Sequence, residues 1–440
     1  MKKIIKNALS DNIKTELFDQ FAYAPVAKYG LPQHITYCAK CCISNQRPNS
    51  AIEFKHTTDS LKHTINFNEQ GICDACNTAA KKLREIDWEK RENELLILCD
   101  KFRSRNGSYD CIVPGSGGKD SFFQSWMLKY KYGMNPLTIT WAPNIYTDWG
   151  RKNFDAWINS GMDNYLMTTS GRSKRLLTRL AVENLFHPFQ PFMIGQKTFA
   201  PNMAVKLQIP LIFYGENEAE YGNPIADNSD AKRSYTYFAT SADEEVFLGG
   251  VSVASLKNNF GMSHADLSPF LPVNIKPFED LGAQVHYLGY YLKWHPQSAY
   301  YFAVDNGGFI PSPERTVGTY SKYNSIDDKI DDFHYYTTFI KFGIGRATYD
   351  ASQEIRSGDL EKEEALALIK RYDGEYPERW ASEIFDYLSI DEKAFPIAHK
   401  MFEHPLMDHQ YFEALTNKFR SPHIWMLKNN KWMLRNPIQV

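Results

Sequence analysis

The segment Asp110-Cys111-Ile112-Val113-Pro114-Gly115-Ser116-Gly117-Gly118-Lys119-Asp120-Ser121 brings together the residue types that hold phosphate. Its apolar start reads as a strand, Ser116–Ser121 as a glycine turn, and Phe122 to Leu128 as a helix. Glycines let a backbone approach a ligand closely, and the unpaired N–H groups and dipole of a helix N-terminus favour an anion. The Ser116 and Ser121 hydroxyls add donors. A Walker A loop is excluded, because it needs Gly-x4-Gly-Lys-Ser/Thr. Here Val113 stands at the first glycine and Asp120 at the magnesium-binding hydroxyl. Lys119 either adds positive charge to the cradle or faces solvent. Asp120 either helps hold magnesium or fixes the loop by N-capping.

Cysteine supplies a second chemistry. The chain has seven, at 38, 41, 42, 73, 76, 99 and 111, and none follows in its 440 residues. Cys38-x2-Cys41 and Cys73-x2-Cys76 are paired knuckles whose four thiolates complete a tetrahedral shell, the pattern of a zinc ribbon. Four protein ligands leave no open position, so the zinc is expected to be structural. Cys42 competes with Cys41 as a ligand, and the regular spacing favours Cys41. Cys99 and Cys111 lie in apolar stretches and read as small core residues.

The elements that must position these groups follow from hydrophobic pattern. Strands are expected at 109–114, 136–141, 164–168 and 210–214, with helices at 121–132, 149–160, 172–186 and 198–207. Such alternation predicts an α/β fold: a parallel sheet with helices on both faces. Ligands of these sheets lie beyond the carboxyl ends of the strands. Three segments converge there: Ser116–Ser121, Thr140 to Asp148, and Gly215-Glu216-Asn217-Glu218. Helical spacing from Ala79 to Phe102 predicts a charged link between the ribbon and the sheet. The expected organisation is an N-terminal arm at 1–35, set against another subunit, a zinc ribbon at 36–80, the sheet domain at 81–250 and a mainly α C-terminal portion at 251–440.

Composition narrows the class. Lys+Arg is 50 and Asp+Glu 52, a balance that argues against a nucleic-acid-binding protein. No apolar run approaches the ~20 residues of a membrane span. Met1 to Asn7 lacks the apolar region of a secretory signal, so a cytoplasmic location is the expectation. Aromatics reach 14%, enough to supply a core and still leave a few rings for sugar stacking.

The pattern Ser-Gly-Gly-x-Asp-Ser resembles the pyrophosphate loop of the PP-loop ATP pyrophosphatase superfamily. Those enzymes split ATP to AMP and pyrophosphate while adenylating a substrate oxygen. A longer series of blocks is similar to the N-acetyl sugar amidotransferase family of pseudaminic acid, flagellin-glycan and lipopolysaccharide biosynthesis. It comprises Cys38-x2-Cys41, Arg47-Pro48, Gly71-x-Cys73-x2-Cys76, the loop, Trp141-Ala142-Pro143, Thr147-Asp148-x-Gly150, Gly215-Glu216-Asn217 and Tyr221-Gly222. Ser325–Lys329, Lys341–Thr348 and Arg371–Gly374 complete it. The family implies conversion of a sugar acetamido group to an acetamidino group through an O-adenylyl imidate, with ATP and Mg2+. The N-acetylated acceptor is a nonulosonate, such as pseudaminic or legionaminic acid, or a nucleotide sugar.

By the same resemblance, Ser116, Lys119, Asp120, Glu216 and Asn217 act in catalysis. The loop from Ser116 through Gly117, Gly118, Lys119 and Asp120 to Ser121 holds the nucleotide phosphates, with Thr140 and Trp141 beside the adenine. Asp148, Glu216, Asn217, Tyr221, Lys341 and Arg346 fall to the substrate. Asp327, Asp328 and Lys329 either form a solvated turn or reach back to the site. Position 2 is Lys2 and no Gly-x-Cys-x-Gly elbow occurs, so glutaminase chemistry is not expected within the chain. Ammonia is expected from solution or from separate glutaminase and cyclase-like subunits, as in imidazole glycerol phosphate synthase. Two alternatives stand beside this reading: a thiolation-type tRNA-modifying enzyme with the same loop, and a non-catalytic zinc-ribbon interaction protein. The first is disfavoured by the missing cysteines after Cys111, the second by the intact loop.

Overall fold

In the computed structural model, residues 2–11, 13–21, 25–223, 230–241 and 243–438 are described. Positions 1, 12 and 22–24 of the expected arm, 224–229 and 242 near the sheet domain's end, and 439–440 lie outside them. Five strands form the central sheet: β1 (Cys111–Pro114), β2 (Pro136–Trp141), β3 (Asp163–Met167), β4 (Leu211–Tyr214) and β5 (Gln284–Tyr287), in the order β3-β2-β1-β4-β5. Every pairing is parallel, in register Cys111 with Pro136, Ile112 with Ile212, Leu137 with Asp163, and Leu211 with Gln284.

The pattern of the strands accounts for the layers. β1, β2 and β4 are near-continuous apolar runs, as buried parallel strands are. Alternation splits them between two cores. Cys111 and Val113 pack with Leu95, Cys99, Leu211 and Phe213 on one face. Ile112 packs with Leu137, Ile139, Ala204 and Val285 on the other. Cys99 and Cys111 are fully buried there. β3 is largely exposed, as an edge strand.

Two of the expected helices appear within a residue or so, at Asp148–Asn159 and Gly171–Leu185, while the third, expected at 198–207, begins eight residues earlier and runs Gln190–Leu207. The one after the loop runs Lys119–Trp126 and then widens into a π turn over Met127–Lys131. The fifth strand comes from beyond residue 250. Its periodicity is hidden because only Gln284–Tyr287 is extended, between two short helices.

The C-terminal portion is mainly helical, with helices at Asp331–Phe342, Arg346–Ser357, Lys362–Tyr372, Ala381–Leu388 and His409–Phe419, followed by the hairpin Trp425–Lys428/Lys431–Leu434. The N-terminal segment packs on this same portion of its own chain instead of projecting as an arm. Phe18 meets Trp432 edge-on at 5.0 Å. Ile5 N–H donates to Met401 O at 3.0 Å, and Lys28 N–H to Ser421 Oγ at 2.9 Å. Burial of Ile5, Ala8, Phe18 and Leu31 explains the placement. No helix among the described residues is long and apolar enough to cross a membrane.

Candidate active site

The strand order reverses between β1 and β4, so the loops leaving these strands border one crevice at their carboxyl ends. The first is the glycine turn. Gly117 adopts φ +87°, a conformation that side chains rarely take, and passes so close to the helix Asp148–Asn159 that an added Cβ would lie 2.6 Å from Phe154 Cα. The turn delivers Gly118 to the start of the helix Lys119–Trp126, where no side chain caps the free N–H groups. An uncapped N-terminus facing a cleft of about 510 Å³ has the features of an anion cradle. Ser121 Oγ donates to Gly118 O at 2.9 Å and ties the turn together, while Ser116 and Asp327 line the same cleft.

Lys119 is buried, not solvent-facing; its Nζ lies 2.6 Å from Asp120 Oδ2 and over the Trp294 ring. Asp120 does not cap the helix. Its other oxygen accepts from Trp294 Nε1 at 2.9 Å, which aims the carboxylate across the cleft.

After β4, Glu216 faces the same cleft and accepts from the Tyr221 hydroxyl at 2.6 Å. Burial raises the Glu216 carboxyl, and nearby Asp120 raises it further; Tyr221 and Lys119 only partly oppose them. Asn217 turns back to accept from Ala219 N–H at 2.9 Å, capping a short 3-10 turn. Glu218 is bound by buried Arg233, whose guanidinium sits among Tyr214, Tyr237 and Tyr287. Arg233, Trp294 and Tyr287 were not read from the sequence. Arg233 and Tyr287 line the cleft and Trp294 the adjoining cavity, each brought there only through tertiary packing.

The third wall comes from the C-terminal portion. Asp328 does not reach the site: its carboxylate accepts from the Asn144, Ile145 and Ile330 N–H groups. That anchoring presents Asp327, with Asp331 and Tyr335 from the following helix, to the cleft. Lys329 pairs with Glu383 at 2.8 Å. Arg346 lies behind this wall. It donates to Asn324 O, sits 3.6 Å from Asp331 and covers the Tyr335 ring. Lys341 is buried in a second, adjoining cavity of about 470 Å³, where its Nζ donates to Leu185 O at 2.7 Å.

Besides Asn217, Lys341 and Arg346, three more expected residues do not join the cleft. Thr140 is fully buried and accepts from Asn164 Nδ2 at 3.0 Å. Trp141 is inserted between Phe199 and Phe270, over Gly195, which leaves room for its ring. Asp148 is exposed on the first turn of its helix, where Thr147 is the cap. The end of β2 turns its side chains into the core, and only Gly150 and Asn153 of the following helix line the crevice.

The four cysteines converge. Their sulfurs all lie within 4.8 Å of one another, with Cys38 Sγ to Cys76 Sγ 3.8 Å and Cys41 Sγ to Cys73 Sγ 3.7 Å. A tetrahedral zinc with bonds of about 2.3 Å sets its sulfurs about 3.8 Å apart, so the shell fits the ion. Backbone N–H groups of Lys40 and Cys73 point at Cys38 Sγ, as donors to a thiolate do. Cys42 points away, packed with Ala347, Ala351 and Leu366. The ribbon also lines the second cavity through Arg47, Asn49 and Ser50.

Residues 317–438 match the family model described as LPS biosynthesis protein WbpG-like, C-terminal domain. The domain that supplies Asp331, Tyr335 and Arg346 is therefore similar to the C-terminal domain of WbpG-like lipopolysaccharide biosynthesis proteins. A curated relative, the uncharacterized protein MJ1599 of Methanocaldococcus jannaschii, is 34% identical over 82 residues. That match covers 19% of this chain and 29% of the relative.

Proposed function

We propose that the chain is an ATP-dependent amidotransferase that converts a sugar acetamido group to an acetamidino group during surface-glycan biosynthesis. The observation that carries this reading is the uncapped glycine turn at a switch-point crevice, closed by a WbpG-like domain. An amide oxygen is a poor leaving group. Its attack on the α-phosphorus of ATP expels pyrophosphate and forms an O-adenylyl imidate. Ammonia then adds to the imidate carbon, AMP departs with the oxygen, and loss of a proton leaves the amidine.

The N–H groups of Lys119 to Ser121 are suited to receive the charge on pyrophosphate, and Lys119 adds a fixed cation. Asp120 and Glu216 are the carboxyls proposed to hold Mg2+ alongside the phosphates; magnesium commonly takes only one or two carboxylates in such sites. The ion would neutralise phosphate charge. Glu216 and Tyr221, with Lys341 in the adjoining cavity, are proposed to position the sugar. Ammonia would come from solution or a separate glutaminase.

The test is incubation with ATP, ammonium and N-acetylated nucleotide sugars or nonulosonates, following AMP and product mass. AMP should form only when all three are present, and the product should show oxygen replaced by NH. AMP release with tRNA and a sulfur donor, and none with any acetamido sugar, would overturn the proposal.

A further inference from the structure

The second cavity runs from Lys119, Asp120 and Glu216 at one end to a group of buried titratable side chains at the other. Glu53 is 4% exposed, yet its Oε2 has no hydrogen-bond partner. Two imidazole nitrogens face that oxygen, His56 Nδ1 at 3.7 Å and His187 Nε2 at 3.8 Å. Both separations are too long for a hydrogen bond. They suit a small molecule seated about 2.9 Å from each atom of a pair. His187 stacks on His334 with ring centroids 5.1 Å apart, and His334 Nδ1 is likewise buried without a partner. His334 lines both cavities, so the group continues into the phosphate-binding cleft.

We infer that Glu53, His187 and His334 form a holding site for ammonia on its way to the activated amide. This inference rests on the amidotransfer reading and goes beyond it by naming residues for the nitrogen substrate. Ammonia carries three N–H donors and one lone pair; Glu53 Oε2 accepts one bond, and the free imidazole nitrogens can accept or donate the others. A neutral occupant matches the surroundings. Burial, with Lys341 nearby, keeps His187 uncharged, and burial holds His334 down at about 4. Lys62 Nζ donates to His56 Nδ1 at 3.4 Å, which leaves His187 and His334 as the imidazoles open to the occupant. Burial raises the Glu53 carboxyl, but the His56 contact and the nearby Lys197 and Lys62 outweigh it and hold the group below its ordinary value.

The experiment measures AMP formation against ammonium concentration for the wild type and Glu53→Gln, with ATP and the acetamido sugar saturating. Sugar-dependent ATP–pyrophosphate exchange, which takes no ammonia, serves as the control for folding and adenylation. The expected result is an ammonium KM raised at least about tenfold, the loss of one hydrogen bond to a charged acceptor, with exchange retained. An unchanged KM means that the site holds water only and overturns the inference. If Glu53→Gln loses exchange, His187→Gln is read by the same two measurements. Wild-type AMP formation that ignores ammonium would overturn the amidotransfer reading instead, and that outcome is visible before any variant is made.

Discussion

Gly117→Ala tests whether the turn works as a rigid phosphate cradle. At φ +87° an L-residue costs about 1–2 kcal/mol. The new Cβ would sit 2.6 Å from Phe154 Cα and 2.8 Å from Asn153 O, where ordinary contact begins at 3.4 Å. The turn must therefore move by at least the difference, 0.8 Å. The helix cannot yield instead, because Phe154 and Trp157 are buried in a core with Phe122 and Phe309. Overpacking of this kind costs about 1–3 kcal/mol, which gives about 2–5 kcal/mol in all. Displacement near 1 Å at a reacting centre costs up to about 100-fold in rate, so ATP–pyrophosphate exchange should fall by roughly 10- to 100-fold. Gly118→Ala is the comparison: its φ is −68° and an added Cβ meets nothing nearer than Ser116 Oγ at 3.9 Å. Its melting temperature should match the wild type. A Gly117→Ala protein with unchanged melting temperature and exchange rate would refute the rigid-cradle argument.

Zinc content by atomic absorption should fall in Cys41→Ser and stay at one ion per chain in Cys42→Ser, because only Cys41 belongs to the four-sulfur shell. Trp294→Phe removes the indole donor that aims Asp120, and kcat/KM for ATP should drop about tenfold with little change in melting temperature. Burial raises Asp331 to about 8, although Arg346 pulls it down. Between about 3.9, the unfolded value, and 8 the folded chain holds a proton that the unfolded chain releases. Stability should therefore decline with rising pH across that window, by at most about 1.4 kcal/mol per unit from this group. Denaturant titrations of Asp331→Asn should lack that part of the slope; an identical slope would exclude Asp331 as its source.

What was legible in the sequence was whatever depends on neighbours along the chain. Strands buried on both faces declare themselves as apolar runs, and a glycine turn between a strand and a helix declares an anion cradle. The four-cysteine shell followed from spacing alone. Side-chain direction at a strand end was not legible. Thr140 and Trp141 lie at the expected height in the sheet, but the pleat and the gap above Gly195 turn Trp141 into the core. Arg233 and Trp294 were missed for the complementary reason: neither sits in a motif of its own, and each is placed at the cavities by partners elsewhere in the chain, Glu218 and Asp120.

The blocks that suggested a family need a different interpretation once their contacts are known. Thr147-Asp148-x-Gly150 and Ser325–Lys329 are one junction. Thr147 N–H donates to Asp327 O at 3.1 Å, Lys329 N–H to Ile145 O at 2.9 Å, and a Cβ on Gly150 would lie 2.8 Å from Asp327 Cβ. Lys341–Thr348 and Arg371–Gly374 are likewise joined, because Asp373 accepts from the N–H groups of Gly345 and Thr348 at 3.2 and 3.1 Å. Much of what reads as active-site motif is thus the joinery that holds the C-terminal helices against the sheet. The same joinery turns Asp327 and Asp331 toward the glycine turn. Substitutions within it should alter how well the cleft closes over phosphate before they alter any group that contacts the substrate.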